Sequence, residues 1–511
     1  MRDAAGGVAE GQGQSGAASG DRMAGNDRWV NDENGENGEN GEYNGHDGHD
    51  ENDGNAVNDA RGDNGAPEPP HPAPSGAGSA AVAQDAQVIV VGAGPAGSSA
   101  AYHLARAGVD VLLLEKDDFP REKVCGDGLT PRGVHQLLRM GIDIDGDGWH
   151  RSRGMRWVCG ERRVLIDWPA GARFPDFGLT RTRHDFDEIL ARHAQAAGAR
   201  LHTGVKVTAP LTDRVGRVVG VHATAGPDAR PVVHRAPLVV AADGASARLA
   251  VALGAHRDQA RPMATAVRRY FRSPTRSGED YLELWADLRL PGSRDWLPGY
   301  GWIFPLGDGR VNVGVGVLGR RGKRSPDLRA SLADWLARTP PEWGLDEAGA
   351  DGPLRSAALP MGLNRRPQYG RGLLLVGDSA GTISPWNGEG ICQAMESGEA
   401  AADVAALALT RPAGAGRERV LQSYPAVLDQ RWGRYYRLGN AAATYVLSRS
   451  GFEPVLARII DRPALVDGMA RLLTNLTDDP GRDAIDHVVN ALVRLTPGPS
   501  RRTARRAVPS R

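Results

Sequence analysis

The sequence predicts an α/β protein in which a parallel sheet is joined to an antiparallel one and to a C-terminal helical region. Three observations predict it. Short apolar runs (VIVVGAG from 88, VDVLLLEK from 109, PLVVAADG at 237–244, LLLVGDSAG at 373–381) read as buried strands, the mark of a parallel sheet. An Ala-rich segment of helical spacing, PAGSSAAYHLARAG, follows the first run and stops at Gly108, so strand, helix and strand form a βαβ unit between residues 88 and 114. Residues 260–320 instead alternate apolar and polar, as antiparallel strands with one covered face do.

The elements follow in order. Residues 1–84 come first and read as a disordered tail. NDENGENGENGEYNGHDGHDENDGN has almost no apolar content and cannot offset its ordering entropy by burial. APEPPHPAPSGAGSA reads as a Pro-rich linker. After the βαβ unit, a helix is expected at about 184–197, strands near 200–222 around a turn at Asp213–Gly216, and a buried strand at 237–244. The alternating region, a strand at 373–381, a helix from about 389 to 408 and helices over 415–495 complete the chain, with a basic tail RRTARRAVPSR.

Bulk composition excludes several classes. Sixty-two basic and 62 acidic residues give zero formal charge, so no electrostatic footprint points to nucleic acid. The three cysteines, Cys125, Cys159 and Cys392, are scattered without a CxxC pair. That pattern argues against a disulfide framework or a metal site and suits a reducing compartment. No apolar run approaches the ~20 residues that cross a bilayer, and no secretion signal opens the chain. A cytoplasmic protein with peripheral membrane contact is expected.

Gly92-Ala93-Gly94-Pro95-Ala96-Gly97 is a GxGxxG turn between strand and helix. Gly92 permits the tight turn, Gly94 lets backbone approach a pyrophosphate, and Gly97 lets helix and strand pack closely. Pro95 and Ala96 open the helix, whose N–H groups face the phosphates. Glu115, ending the next strand, can accept from a ribose diol, with Lys116 beside it. This is a Rossmann-like dinucleotide grip.

The turn alone does not separate NAD from FAD. LVVAADGASARLA and RGLLLVGDSAGTISPWNGEGICQAMESG resemble the second and third FAD motifs of glutathione-reductase-like flavoproteins with the hydroxybenzoate-hydroxylase fold. The resemblance implies FAD, held by Asp243 and Gly244 of the second motif. Asp378 would accept from a ribityl hydroxyl, and Asn387, Gly388 and Gly390 would aim a helix N-terminus at the flavin ring. The second motif departs from DGxxSxxR at Ala247 and Ala250, with Arg248 offered as a replacement.

FPREKVCGDGLTPR at 119–132, PGYGWIFP at 298–305 and PWNGEGICQAMESG resemble the geranylgeranyl reductase family over roughly residues 87–410. The resemblance implies an FAD-dependent enzyme that reduces isolated C=C bonds in a polyprenyl chain, on a lipid or on menaquinone. It also implies that Arg183, in TRTRHDFDEIL, faces the cofactor. Tyr300, Trp302 and Phe304 alternate at period two and share one strand face, suited to wall an apolar tunnel. Cys125 is the candidate for supplying the proton or placing substrate, and Gly126 and Gly128 fit a backbone passing close to a ring. NAD(P)H or a ferredoxin-like carrier would donate electrons. The competing reading is a monooxygenase or halogenase of the same fold; halogenases carry WxWxIP where this chain has Tyr300-Gly301-Trp302-Ile303-Phe304-Pro305.

The expected partition is an FAD-binding domain of residues 85–150, 181–260 and 355–410. A substrate domain of 151–180 and 261–354, a helical region of 411–497 and a basic tail of 498–511 make up the rest.

Overall fold

The computed structural model describes residues 85–171, 173–319, 325–448, 453–478 and 481–498. The expected tail at 1–84 and almost all of the basic tail lie outside them.

The parallel sheet has six strands. Its spatial order is Tyr369–Gly370, Leu373–Leu375, Leu238–Ala241, Val88–Val91, Val111–Leu114 and Arg200–His202. All neighbouring pairs are parallel except the edge pair of Tyr369–Gly370 with Leu373–Leu375. Val88–Val91 is central and wholly buried, which is why it reads as an unbroken apolar run. The helix Pro95–Arg106 packs on the long helix Ile391–Leu409, so closely that a Cβ on Gly398 would lie 2.3 Å from the Ala96 carbonyl oxygen. The Ser99 hydroxyl donates to the Met395 carbonyl at 2.8 Å across the same contact.

A three-stranded antiparallel meander, Val205–Thr212, Val218–Ala225 and Arg230–Arg235, covers one side. Its first turn closes with Gly216 N–H on the Asp213 carbonyl at 3.0 Å.

The second large sheet has seven strands, in the order Ala350–Pro360, Met263–Arg272, Arg310–Leu318, Gly299–Pro305, Tyr281–Trp285, Gly154–Cys159 and Arg162–Asp167. It is antiparallel with one exception. Tyr281–Trp285 runs parallel to Gly154–Cys159, a strand that arrives from a distant part of the chain and pairs on the free edge. The last strand carries this sheet on to Pro360. A further sheet of two- and three-residue strands, Gly128–Leu129, Gly178–Thr180 and His150–Ser152, packs beside it, with the Thr180 hydroxyl donating to the Pro305 carbonyl at 2.6 Å.

The C-terminal helices brace the parallel-sheet unit. From Tyr424–Ala442, Tyr424 donates to the Leu375 carbonyl at 2.9 Å and Trp432 Nε1 donates to Glu396 at 3.1 Å. Tyr435 accepts from Trp386 Nε1 at 3.2 Å through its carbonyl, and Tyr436 donates to the Thr382 carbonyl at 2.5 Å. The helix thus holds the 382–386 backbone that leads into the Asn387–Gly390 loop.

Candidate active site

The site is assembled where the helix Pro95–Arg106 begins, beside the Asn387–Gly390 loop and the aromatic face of the strand Gly299–Pro305. Gly92 has φ +97°, and a Cβ there would sit 2.4 Å from the Ala242 carbonyl oxygen. A Cβ on Gly97 would sit 1.8 Å from the Gly92 carbonyl oxygen. Both positions exclude any side chain. Gly94 is different: a Cβ there would meet nothing nearer than 3.9 Å, and what it meets is Arg121, Arg183 and Asp187. Gly94 is the helix N-cap and no side chain caps its N–H groups, while Pro95 takes the first turn. An open helix N-terminus beside two guanidinium groups fits a pyrophosphate.

Glu115 is 3 % exposed, and its carboxylate accepts from Ala93 N–H at 2.8 Å, Asp117 N–H at 3.2 Å and Arg121 at 3.1 Å. It is thereby fixed at the lip of the glycine turn. Lys116 lies at the outer edge, exposed and 3.7 Å from Asp117. Arg183 forks onto Asp187 at 2.6 and 2.8 Å, and Asp187 also takes Arg121 at 2.9 Å. Sequence reading assigned no role to Arg121 or Asp187; the arginine stood in plain view in FPREK, while its partner is 66 residues away.

Asp243 accepts from Ser379 at 2.7 Å and from Leu249 N–H at 3.1 Å, and burial pushes its carboxyl above the usual range. Gly244 follows at φ +76°. Arg248 does not replace the missing motif arginine. It is exposed at the start of the short helix Arg248–Ala252, because Ala247 at φ +46° turns the chain there. The buried Arg365 instead faces Asp243 electrostatically and donates to the Ala255 carbonyl at 2.9 Å. Asp378 sits in the first turn of the 3-10 helix Gly377–Ala380, its carboxylate 3.9 Å from where a Cβ on Gly390 would be. Gly390 caps the helix Ile391–Leu409, Gly388 has φ +77°, and Asn387 Oδ1 accepts from Glu389 N–H at 3.1 Å.

Tyr300, Trp302 and Phe304 stand in a row, with successive ring centroids 6.3 Å apart. The Tyr300 hydroxyl donates to the Asn387 carbonyl at 2.5 Å, tying this row to the glycine-rich loop. Trp302 lies over Gly314 of the neighbouring strand, where a Cβ would come within 2.2 Å of its ring. The opposite strand face buries Ile303 in a separate core with Trp335.

The segment Cys125–Gly128 runs against this aromatic row. A Cβ on Gly126 would be 3.3 Å from Phe304 and 3.5 Å from Trp302 Nε1; on Gly128 it would be 3.1 Å from Phe304. The ring that these glycines accommodate is therefore Phe304, a residue of the protein itself. Between them, Asp127 is wholly buried at φ +64°. It accepts from the Tyr270 hydroxyl at 2.6 Å, Asn312 Nδ2 at 2.8 Å and Arg183 N–H at 3.2 Å. Burial pushes its carboxyl up to about 6, against the pull of Arg268 and these donors. Asn312, also wholly buried, gives Nδ2 to the Cys125 carbonyl at 2.8 Å and takes Trp302 Nε1 on Oδ1 at 2.9 Å. One amide thus joins the cysteine loop, the buried acid and the middle of the aromatic row. Asp127 and Asn312 were missed in the sequence because a Gly-Asp-Gly reads as a turn and an Asn in a strand carries no motif. Burial pushes the Cys125 thiol up, with the Arg183 guanidinium working the other way.

Residues 85–428 match the family model described as an FAD binding domain. The chain is 36% identical over 410 residues to a menaquinone reductase of Mycobacterium tuberculosis, covering 80% of this chain and 95% of the relative. The chain belongs to the geranylgeranyl reductase family of FAD-dependent oxidoreductases. It is also 34% identical over 330 residues to digeranylgeranylglycerophospholipid reductase 1 of Methanopyrus kandleri, covering 63% of this chain and 80% of that one. Among solved structures, a geranylgeranyl bacteriochlorophyll reductase-like protein of Thermoplasma acidophilum superposes with TM-score 0.63 at 23% identity, over 83% of this chain and 99% of that one. The fold is thus that of this flavoprotein family, and its cofactor is FAD. Gly92, Gly94 and Gly97 form the turn after the central strand and Glu115 is bonded to that turn; Asp243 and Asp378 follow the next two strands on one side in the sheet.

Proposed function

We propose that this enzyme saturates isolated C=C bonds of a polyprenyl chain, with the side chain of menaquinone first among substrates and geranylgeranyl lipids second. The observation that carries the reading is the Cys125–Gly128 loop laid against the Trp302/Phe304 face and locked there by Asn312. The chemistry FAD supplies when bound is hydride donation from its reduced ring. An isolated alkene has no carbonyl to polarise, so the second carbon needs a proton held in place. The site also needs apolar walls that exclude water.

This chain's residues answer those needs. Trp302, 7 % exposed, and the half-buried Tyr300 and Phe304 offer an apolar surface along the strand. Cys125, with its thiol pushed up by burial, keeps its proton on Sγ at neutral pH and is a donor rather than a nucleophile. Asn312 holds the Cys125 carbonyl and Trp302 in fixed relation, so proton and wall move together. NAD(P)H or a ferredoxin-like carrier supplies the electrons. The substrate draws the enzyme to a membrane surface; among the described residues no helix is long and apolar enough to cross one.

The test is anaerobic turnover with menaquinone and a chemical reductant, read by mass spectrometry of the quinone. A gain of two hydrogens per bond supports the reading, and an unchanged prenyl chain refutes it. A Cys125→Ser variant that keeps full alkene reduction would remove the thiol from the mechanism.

A further inference from the structure

The last described helix, Ala484–Leu495 (AIDHVVNALVRL), is strongly amphipathic: Asp486, His487, Asn490 and Arg494 share one side and the rest is apolar. Such a helix normally turns its apolar side inward. Only part of this one is covered: Val489 and Asp486 are buried, Gly468 of the helix Pro463–Thr474 abuts Ile485, and Asp486 is held by Arg471 at 2.8 Å. Its outer side is open. Val488 is 69% exposed, Leu492 45% and Leu495 82%, at spacings of four and three that put them in one stripe. Of thirteen large apolar residues exposed among the described residues, six lie between 445 and 495 in the sequence, and three of them form this stripe. A shallow groove of about 310 Å³ runs beside the stripe, with His487 and Arg494 in its lining.

The acids at the start of the helix, Asp483 and Asp486, are paired with Arg471, and the charge at its C-terminal end is mainly basic. Arg434 and Arg437 donate to the Arg494 and Pro497 carbonyls at 3.0 and 2.9 Å, which places two guanidinium groups at the helix end. Arg437 also pairs with Asp429, whereas Arg434 has no carboxylate within ion-pair distance among the described residues. The sequence from 494 onward adds Arg494, Arg501, Arg502, Arg505, Arg506 and Arg511 and no acid. A second copy of the chain is a poor cover for the stripe, because a two-fold contact would bring the same arginines together. An anionic lipid surface satisfies both features: acyl chains take the stripe and headgroups take the arginines.

We propose that the outer face of the helix Ala484–Leu495, with the arginines that flank and follow it, docks the enzyme on anionic bilayers. The idea rests on the prenyl-lipid reading for its purpose, but not for its evidence. It is tested by co-sedimentation of the full-length FAD-loaded protein with vesicles of phosphatidylcholine alone or with 30% phosphatidylglycerol. About a third of the lipid is made anionic because the cationic contribution scales with surface charge.

The expected result is binding to the anionic vesicles that is at least tenfold tighter than to neutral ones and falls with salt. Val488→Asp/Leu492→Asp/Leu495→Asp should lose binding at least tenfold while keeping wild-type FAD content. The milder Leu495→Ser should lose part of it, which covers a triple variant that fails to fold. Arg501→Gln/Arg502→Gln/Arg505→Gln/Arg506→Gln should remove the preference for anionic lipid. Equal binding by wild type and the aspartate variant overturns the proposal. So does a wild-type dimer that the aspartates split in analytical ultracentrifugation without changing vesicle binding. Reduction of detergent-dispersed menaquinone, assayed separately, reports on the catalytic reading alone.

Discussion

Two glycine-bearing loops meet at this site, and they need their glycines for different reasons. In Gly92–Gly97 the obstacles are backbone atoms: the Ala242 and Gly92 carbonyl oxygens at 2.4 and 1.8 Å from the absent Cβ positions. In Cys125–Gly128 the obstacles are side chains, the rings of Phe304 and Trp302 at 3.1 to 3.5 Å. The first requirement is set by backbone, that of the turn itself at Gly97 and that of Ala242 on the neighbouring chain segment at Gly92, and is rigid. The second is set by a strand 176 residues onward (Gly128 to Phe304) and can give by the shift of a ring. In the reading proposed above, the first loop grips the cofactor and the second couples proton donor to substrate wall.

The contrast is broken or sharpened by substitution. Gly97→Ala carries the largest expected effect. Its Cβ has no room, so flavin content per protein should fall about tenfold or more, or the chain should fail to fold. Flavin absorbance of the purified protein checks this. Retention of full FAD would mean the first loop is as pliable as the second.

Asn312→Ala comes next. It strands the Trp302 N–H and the Cys125 carbonyl in a dry interior, and should cost about 4 kcal/mol of stability by urea unfolding. A loss below about 1 kcal/mol would mean the amide does not lock loop to wall.

The Asp127 carboxyl, pushed up to about 6 from 3.8, gives a pH signature. The fold favours its protonated form, so the unfolded chain gives up the proton first as pH rises. This contribution to stability is complete below about pH 4 and is lost as pH climbs through about 6, with a slope up to about 1.4 kcal/mol per unit. Melting curves of wild type and Asp127→Asn across that range should differ in slope; parallel curves would place the carboxyl at its ordinary value.

Gly128→Ala should be the mildest. The 3.1 Å contact can be relieved by the Phe304 ring, so FAD stays bound while turnover drops about tenfold, or about 1.4 kcal/mol. Phe304→Leu in the same chain should return part of it. Absence of any rescue would mean that the glycine serves something other than the ring.

The same difference explains what was legible. The four inner strands of the parallel sheet announced themselves because each, buried on both faces, is a continuous apolar word such as VIVV, and the glycine turn because its motif is contiguous in sequence; the edge strand Arg200–His202, exposed at two of three positions, carries no such word. The aromatic row was visible as a period of two. The Gly128–Leu129, His150–Ser152 and Gly178–Thr180 strands are too short to show a period. The parallel pairing of Tyr281–Trp285 with Gly154–Cys159 depends on a partner more than 100 residues away. Asp127 is the sharpest case. Its donors are Arg183, Tyr270 and Asn312, at separations of 56, 143 and 185 residues, so no local pattern could single it out. Arg248 shows the reverse error: motif spacing suggested a role, and the turn at Ala247 sent the side chain to solvent.

In the proposed mechanism the Cys125 loop and the aromatic face act together on the prenyl chain. The most direct measurement is anaerobic single turnover of the reduced, FAD-loaded enzyme with menaquinone in deuterated water, read by mass spectrometry of the quinone. The expected outcome is a reduced double bond in wild type with solvent deuterium at both carbons, because the N–H of the reduced flavin and the Cys125 thiol both exchange with solvent, and at least a tenfold slower step in Cys125→Ala with FAD still bound. An intact prenyl chain, with a flavin hydroperoxide forming when oxygen is admitted, would contradict it and return the site to oxygen chemistry.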